Sequence, residues 1–250
     1  MTNTVSGDPY YEAALLLSDY RDAKIITFEE SPEEALDTLS DSDVRYVAFV
    51  ISPKTMDEDF AYEVFEMAKS LDNDYDTDFA YGFITGITGE DVKQYVRNVA
   101  AYESGQAGTI SLSQVVWRTG EGAISGGAGS IADDLTQEAV DHLNSMNMNA
   151  SRLDSEELSP EELLVEINSA DVLWFNLHAS PMYFETQRGD GLLGPDLLEL
   201  ERGLFIIHSG CYAGAVNKFY NQSGSGYETY NEREQYVEPT DSLVLNLMRN

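Results

Sequence analysis

The chain has 250 residues, enough for one large domain or two small ones with a sizeable hydrophobic core. Its 42% hydrophobic and 11% aromatic content excludes wholesale disorder. The charge is strongly unbalanced, with 45 acidic against 14 basic residues, a formal net charge of −31 and a pI near 4.1. No basic patch could outweigh this balance, so we expect no binding to nucleic acid or to an anionic membrane.

The acidic residues are spread along the whole chain and are not gathered into a tail. Dispersed acid is typical of surfaces kept soluble at high salt, which predicts a salt-adapted protein. The N-terminus lacks a basic stretch followed by an apolar run, and no segment approaches the roughly 20 apolar residues of a membrane helix. We therefore expect a cytoplasmic protein without a signal peptide.

The first hundred residues alternate between helix and strand signals. Asp8 followed by Pro9 predicts a helix start, and Ser31 followed by Pro32 predicts another by the same capping logic. Strand alternating with helix indicates an α/β fold. Helices are predicted at 8–20, from 31, at 57–71 (with a stripe of Phe60, Val64, Phe65 and Ala68) and at 88–103, and strands at 24–28, 44–52 and 78–86.

The second half begins with a change of character at residues 105–130, where a candidate strand, SLSQVVWR, precedes the glycine-rich TGEGAISGGAGS. We expect an N-terminal α/β subdomain over 1–105 and a C-terminal one over 106–250. Beyond the glycines, helices are predicted from about Asp133 to Met146, from Ser159 and over 241–250, a strand at 149–153, and a polar surface loop over 221–240.

Two apolar runs, VLWFNLHAS (172–180) and GLFIIHSGCYAG (203–214), each end at a chemically useful residue. Runs without polar alternation are typical of strands in a parallel sheet flanked by helices. If the two strands are parallel neighbours, His178 and Cys211 leave them at the same edge, where such sheets bind ligands. Because a thiol beside an imidazole base is the minimum set for a cysteine nucleophile, the sequence predicts a Cys/His dyad.

The surroundings of Cys211 favour catalysis over the commoner fate of an inert buried cysteine. The residues beside it are small, as required where the backbone turns sharply and admits a substrate. The chain has a single cysteine, which excludes an intramolecular disulfide and a multi-cysteine zinc site. The backbone N–H groups at Ala179, Gly210 and Cys211 are the local candidates for stabilising an oxyanion.

The other histidines are weaker candidates for the base. His208 would point to the opposite face of an extended strand from Cys211. His142 lies within a predicted helix and is interpreted as a surface or core-edge residue. The sequence does not identify the group that would orient the imidazole, and Asp171 and Asn176 are among the candidates.

The glycine-rich segment matches neither G-x-x-x-x-G-K-[ST] nor G-x-G-x-x-G. Asp133 and Asp134 would also repel an anion at the start of the helix that follows it. A surface loop or a flap over the substrate site is the favoured interpretation. Since the carboxylates form no EF-hand pattern, neither a metal nor another cofactor is predicted.

The two strand-end motifs resemble those of the caspase–gingipain superfamily of cysteine peptidases, in which a His and the catalytic Cys end neighbouring strands. LWFNLHAS and FIIHSGCYAG fit in order, context and approximate separation. The closer resemblance is to the gingipain-type branch, through DTDFAYGFITGITGEDVKQYVRNVAAYE (76–103), DPYYEAALLLSDYR and VAFVISP. The chain departs from the pattern in three ways. Ala179 replaces the usual Gly, no caspase signature surrounds the cysteine, and relatives usually continue with further strands, so a truncated or minimal version is expected.

The resemblance implies a Rossmann-like three-layer sandwich, with a mostly parallel sheet flanked by helices on both faces. It implies Cys211 as nucleophile and His178 as general base and acid, with an acyl-enzyme that water hydrolyses. The expected function is a gingipain-like cysteine endopeptidase that acts on a peptide or protein substrate. Two alternatives stay open, an inactive domain of the same fold that binds a peptide or protein, and an α/β enzyme whose glycine-rich loop binds a nucleotide. The oligomeric state is also open.

Overall fold

The computed structural model describes residues 1–72, 74, 76–105, 115–119, 128–154, 160–169, 172–176, 182–185, 191–193, 205–208, 216–223 and 231–247. The chain forms two compact units. The first comprises Met1–Ala100 with Ala215–Pro239, and the second comprises Ala101–Gly214 with Thr240–Met248. The boundary expected near residue 105 stays a prediction.

The helices of the first unit start at the positions that their capping residues predict. Its described helices are α1 (Pro9–Arg21), α2 (Leu36–Ser40, after a 3-10 turn at Pro32–Ala35), α3 (Glu58–Met67) and α4 (Gly89–Glu103); its strands are β1 (Tyr46–Val50), β2 (Ala80–Ile84), β9 (Lys218–Ser223) and β10 (Asn231–Tyr236). The Asp8 carboxylate accepts a hydrogen bond from the Tyr10 N–H at 2.8 Å. The Asp57 carboxylate accepts one from the Phe60 N–H at 2.8 Å. These bonds satisfy N–H groups that would otherwise lack a partner at the helix starts.

The core of the first unit lies against the parallel pair β1–β2, which runs in register from Tyr46↔Ala80 to Val50↔Ile84. Phe49 is fully buried and its ring contacts those of Phe60 on α3 and Phe83 on β2. Burying a side chain of this kind contributes about 1.5–3 kcal/mol. Phe65, predicted for the buried stripe of α3, is 40% exposed; Met67 is buried in the core instead.

The strand predicted at 24–28 is wrong. Thr27 forms only an isolated parallel bridge with Thr2. The Thr2 N–H donates to the Ile26 carbonyl, and the Phe28 N–H donates to the Thr2 carbonyl. The apolar KIITF run is therefore held by a short contact with the first residues of the chain, a pairing that local sequence does not reveal.

The surface loop predicted over 221–240 is also wrong in part, because β9 and β10 form an antiparallel pair in register from Lys218↔Tyr236 to Ser223↔Asn231. Main-chain hydrogen bonds hold such a pair together, so it does not require the apolar alternation by which a half-buried strand is recognised. The pair packs on α3 within the first unit.

The second unit contains a four-stranded sheet in the order β4-β3-β5-β8, with every neighbouring pair parallel. Strands that alternate with helices in this way confirm the predicted α/β class. No described helix is long and apolar enough to cross a membrane. The described elements are β3 (Val115–Thr119), α5 (Ala128–Ser145), β4 (Ala150–Asp154), α6 (Pro160–Ser169), β5 (Val172–Asn176), the antiparallel pair β6 (Tyr183–Glu185) and β7 (Gly191–Leu193), β8 (Phe205–His208) and α7 (Leu243–Leu247).

Helix α5 begins earlier than predicted. It starts at Ala128, inside the glycine-rich segment, so Asp133 and Asp134 are helical residues and not its cap. Its other end is joined to β4 by Asn144, whose side chain accepts from the Ala150 N–H at 2.9 Å and donates to the Ala150 carbonyl at 3.0 Å. This paired bond fixes the short connection from α5 into the sheet.

Candidate active site

The two apolar runs form neighbouring parallel strands. β5 pairs with β8 in register from Val172↔Phe205 to Phe175↔His208, which is an offset of 33 positions. Neighbouring strands lie about 4.8 Å apart, and parallel strands end at the same edge of a sheet. The condition on which the dyad prediction depends, that these strands are parallel neighbours, is therefore met.

The candidate pair follows this register. His178 is three positions beyond Phe175, and Cys211 is three positions beyond His208. Their separation in the sequence, 33 positions, equals the offset between the strands. His178, Ala179, Gly210 and Cys211 themselves lie outside the described residues, as does Asp171, so the dyad and the oxyanion donors remain predictions.

The strand order also identifies which edge of the sheet is suited to a ligand. After β3, the chain forms β4 on one side and then crosses to form β5 on the other side of β3. Ligands in open parallel sheets bind beyond the carboxyl ends of the strands where the order reverses in this manner. That point lies between β3 and β5, and it is β5 that His178 follows by two positions.

The other candidates can be placed more directly. His142 is exposed near the C-terminal end of α5, consistent with its interpretation as a surface residue. His208 and Asn176 are the last residues of β8 and β5, and their side chains are outside the described part of the structure. Among the described residues, no group of three His, Cys, Asp or Glu side chains is arranged to hold a metal ion.

A polar cluster at the carboxyl ends of β1 and β2 was not found from the sequence. Asn3 donates from Nδ2 to the Thr55 hydroxyl at 2.9 Å, and the Ser52 hydroxyl lies 3.4 Å from the same atom. Within the described part, Oδ1 of Asn3 and Oγ1 of Thr85 are buried without a hydrogen-bond partner. Such atoms are rare in native proteins and are commonly satisfied by ordered water. Isolated Asn and Thr residues in turns form no recognisable pattern, so the sequence carried no signal for them.

The segment just after the candidate nucleophile is held firmly within the first unit. Val216 is 2% exposed, and Asn217 donates from Nδ2 to the Lys54 carbonyl at 2.9 Å. Lys218 forms an ion pair with Asp59 on α3. The Asn217 carbonyl also accepts from the Val237 N–H at 3.2 Å, which joins the segment to the strand end of β10.

Comparison with known proteins supports the fold. The sequence matches no protein-family model and no curated protein. Among solved structures, the chain is similar to the complex of the RgpB pro- and mature domains of Porphyromonas gingivalis (13% identity, TM-score 0.57, 86% of this chain and 55% of that chain). It is also similar to the Arg-specific cysteine proteinase gingipain R, RgpB (14% identity, TM-score 0.56, 82% of this chain and 53% of that chain).

These likenesses show a shared fold. The chain has the α/β fold of gingipain R, and the predicted α/β sandwich is confirmed. The chain spans about half the length of the two solved structures. We therefore assign their activity to this chain only as a proposal.

Proposed function

We propose that this chain is a cysteine peptidase of the gingipain type in which Cys211 and His178 form the catalytic dyad. The observation that carries the proposal is the register of β5 and β8, whose offset of 33 positions equals the separation of the two residues. Lateral neighbours beyond the ends of two parallel strands are close enough for an imidazole to reach a thiol. The gingipain R fold of the chain supports the same conclusion.

The reaction follows from the chemistry of these groups. His178 accepts the thiol proton, and the Cys211 thiolate attacks the carbonyl carbon of the scissile peptide bond. Backbone N–H groups at Ala179, Gly210 and Cys211 are proposed to stabilise the oxyanion of the tetrahedral intermediate. The imidazolium then donates its proton to the leaving amine, which leaves an acyl-enzyme. Water deprotonated by His178 hydrolyses the acyl-enzyme and restores the thiol.

The first test is the pH dependence of iodoacetamide alkylation, which reports on one site because the chain has a single cysteine. A free thiol titrates near pH ~8.5, whereas a thiol paired with an imidazole reacts as thiolate well below that. We expect fast labelling at pH ~6 in wild type, and slow labelling in His178→Ala. His208→Ala and His142→Ala are matched controls and should label like wild type. Slow wild-type labelling that ignores His178 would refute the dyad.

The second test is hydrolysis of a peptide library with every residue type before the cleaved bond. Cleavage that is lost in Cys211→Ser would support an endopeptidase and would reveal its specificity. Reactive Cys211 without any cleavage would instead favour the second candidate, an inactive domain of this fold that binds a peptide or protein. Ala179, which replaces the usual Gly beside the histidine, is the observation that favours that alternative.

We further propose the partner of this protein, its environment and the part of the chain that carries the dyad. The partner is a peptide or protein substrate, and the protein is salt-adapted and cytoplasmic, with its dyad in the C-terminal subdomain of 106–250. Labelling and hydrolysis are therefore to be measured at both low and high salt. Activity confined to low salt would contradict the salt-adapted surface that the net charge of −31 suggests.

A further inference from the structure

The last turn of α5 carries two exposed side chains that are able to bind a metal ion. His142 is exposed near the end of the helix, and Met146, just beyond it, is 50% exposed. The Met146 N–H donates to the His142 carbonyl at 3.2 Å, so the helical geometry continues to Met146. Residues four positions apart on a helix lie on the same face, with their Cβ atoms about 5–6 Å apart. The imidazole and the thioether are therefore neighbours on the surface of the second unit.

The turn after α5 separates Met146 from the second methionine of this segment, Met148. Asn147 adopts the left-handed conformation with φ 62°, and the Met148 N–H donates to the Leu143 carbonyl at 3.1 Å. This is a Schellman-type helix end, in which the residue after the left-handed one packs back onto the helix. Met148 accordingly packs against the core cluster that contains Val140. Met148 thus has a packing role, whereas the Met146 thioether is left exposed.

Further hydrogen bonds fix the backbone of this turn. The Asn144 side chain bonds to both the N–H and the carbonyl of Ala150, which joins the turn to β4. The Ser145 hydroxyl donates to the His142 carbonyl at 2.6 Å. A ligand that bridges His142 and Met146 therefore needs to order their side chains and not the backbone, which keeps the entropic cost of binding low.

The two side chains and the charge around them indicate the kind of ion that fits. Thioether sulfur is a soft ligand that favours Cu(I), and imidazole also binds copper. Mg²⁺ and Ca²⁺ prefer oxygen ligands instead. The carboxyl end of a helix carries a partial negative charge, and Glu138, one turn before His142, is also exposed. Both features attract a cation to this face of the helix.

We propose that His142 and Met146 form a binding site for a monovalent soft cation, with Cu(I) as the ion in the cell. An imidazole nitrogen and the thioether sulfur are its two protein ligands, a number that Cu(I) and its chemical analogue Ag(I) both accept. The site uses neither Cys211 nor His178, so the inference is independent of the proposed peptidase activity.

The experiment titrates Ag(I), which is stable in air, into the whole chain carrying Cys211→Ser, so that the thiol does not compete for the metal. The methionine methyl groups carry an isotope label for NMR, and the solution is free of chloride, which precipitates Ag(I). Met146→Leu and His142→Gln each remove one ligand. The matched control is Met182→Leu, at another exposed methionine (44% exposed). Circular dichroism identifies any variant that fails to fold.

We expect the first equivalent of Ag(I) to shift the Met146 methyl signal and the His142 ring signals together. Loss of an outer-sphere partner of a metal costs about 10–100-fold in affinity, so His142→Gln and Met146→Leu, which each remove a ligand, should weaken binding roughly 100-fold. Met182→Leu should leave the affinity at Met146 unchanged. Mg²⁺ should leave the Met146 methyl signal where it is, because it prefers oxygen ligands.

Two results would overturn the inference. If the Met146 and Met182 methyl signals shift at the same Ag(I) concentration, with or without His142→Gln, the thioethers bind silver without selection. If half-saturation at Met146 needs more than about 1 mM Ag(I), the two side chains do not act together as a site. Neither result affects the dyad of Cys211 and His178, which is tested by alkylation in the absence of metal.

Discussion

Among the described glycines of the first unit, Gly89 has the least room for an added side chain, and its substitution tests the packing around it. A Cβ atom added there would lie 2.4 Å from Cβ and 2.5 Å from the carbonyl carbon of Pro9, and 2.7 Å from the Tyr10 nitrogen. Backbone atoms cannot rotate away, so α1 and α4 must separate. Overpacking of this kind costs about 1–3 kcal/mol, and the higher helix propensity of alanine offsets at most ~1 kcal/mol. We expect Gly89→Ala to lower the free energy of unfolding by about 2 kcal/mol.

Two other glycines provide a graded comparison. At Gly86 the added Cβ would lie 3.1 Å from Val92 Cγ2, 3.2 Å from Asp91 Cβ and 3.3 Å from the Thr88 carbonyl oxygen, so its neighbours need to shift by only a few tenths of an ångström. At Gly82 it would meet nothing within 4 Å. Urea unfolding should therefore give Gly82→Ala the highest stability, Gly86→Ala an intermediate one and Gly89→Ala the lowest. In thermal unfolding, Gly89→Ala should melt roughly 4–8 °C below wild type. A Gly89→Ala variant as stable as Gly82→Ala would refute the close approach of α1 and α4.

Three further predictions concern single side chains of the first unit. Burial, together with the nearby Asp91 and Asp8 carboxylates, raises the pKa of Tyr10 to about 12. The stability that its neutral phenol contributes is therefore present below pH ~10 and is lost as the pH rises from about 10 to 12. For this half-buried group we expect a loss of about 1 kcal/mol by urea unfolding, absent in Tyr10→Phe but retained in Tyr11→Phe. The Glu34 carboxylate accepts hydrogen bonds from the N–H groups of Ser31 and the two preceding residues, which lowers its pKa. Glu34→Gln should therefore destabilise at pH 7, and this difference should begin to shrink as the pH falls below about 4.5 and be lost once the pH passes below the lowered pKa. A difference that grows as the pH falls would contradict the sign. Asp22 ends α1 in the left-handed region with φ 49°, so Asp22→Gly should stabilise by about 1 kcal/mol in thermal unfolding, and a loss of stability would exclude strain there.

Most helix starts could be predicted because their determinants are local. Asp8, Ser31 and Asp57 each accept hydrogen bonds from N–H groups two or three residues further along the chain. The exception, α5, starts in a glycine-rich segment without such a signal, and the prediction placed it several residues late. Local propensity therefore predicted the helices where a cap was present and failed where the start depends on the rest of the fold.

The candidate site shows the same division. The sequence predicted two apolar strands and the residues that follow them, and the dyad required these strands to be parallel neighbours. Whether that condition holds depends on hydrogen bonds between β5 and β8, which are 33 positions apart, and no local pattern specifies which strands pair. The contacts of Asn217 with Lys54 and of Lys218 with Asp59 could not be predicted either, since about 160 residues separate the partners.

The sequence by itself determined the α/β class, the positions of most helices and strands, the acidic surface and the single cysteine that a dyad would use. These follow from composition and from interactions over a few residues. The tertiary structure decided the strand order β4-β3-β5-β8, the pairing of Thr2 with Thr27, the exposure of Phe65 and the return of residues 215–239 to the first unit. Each of these depends on contacts between distant residues, whose energies are set by the packing of the whole chain and not by any short segment of it.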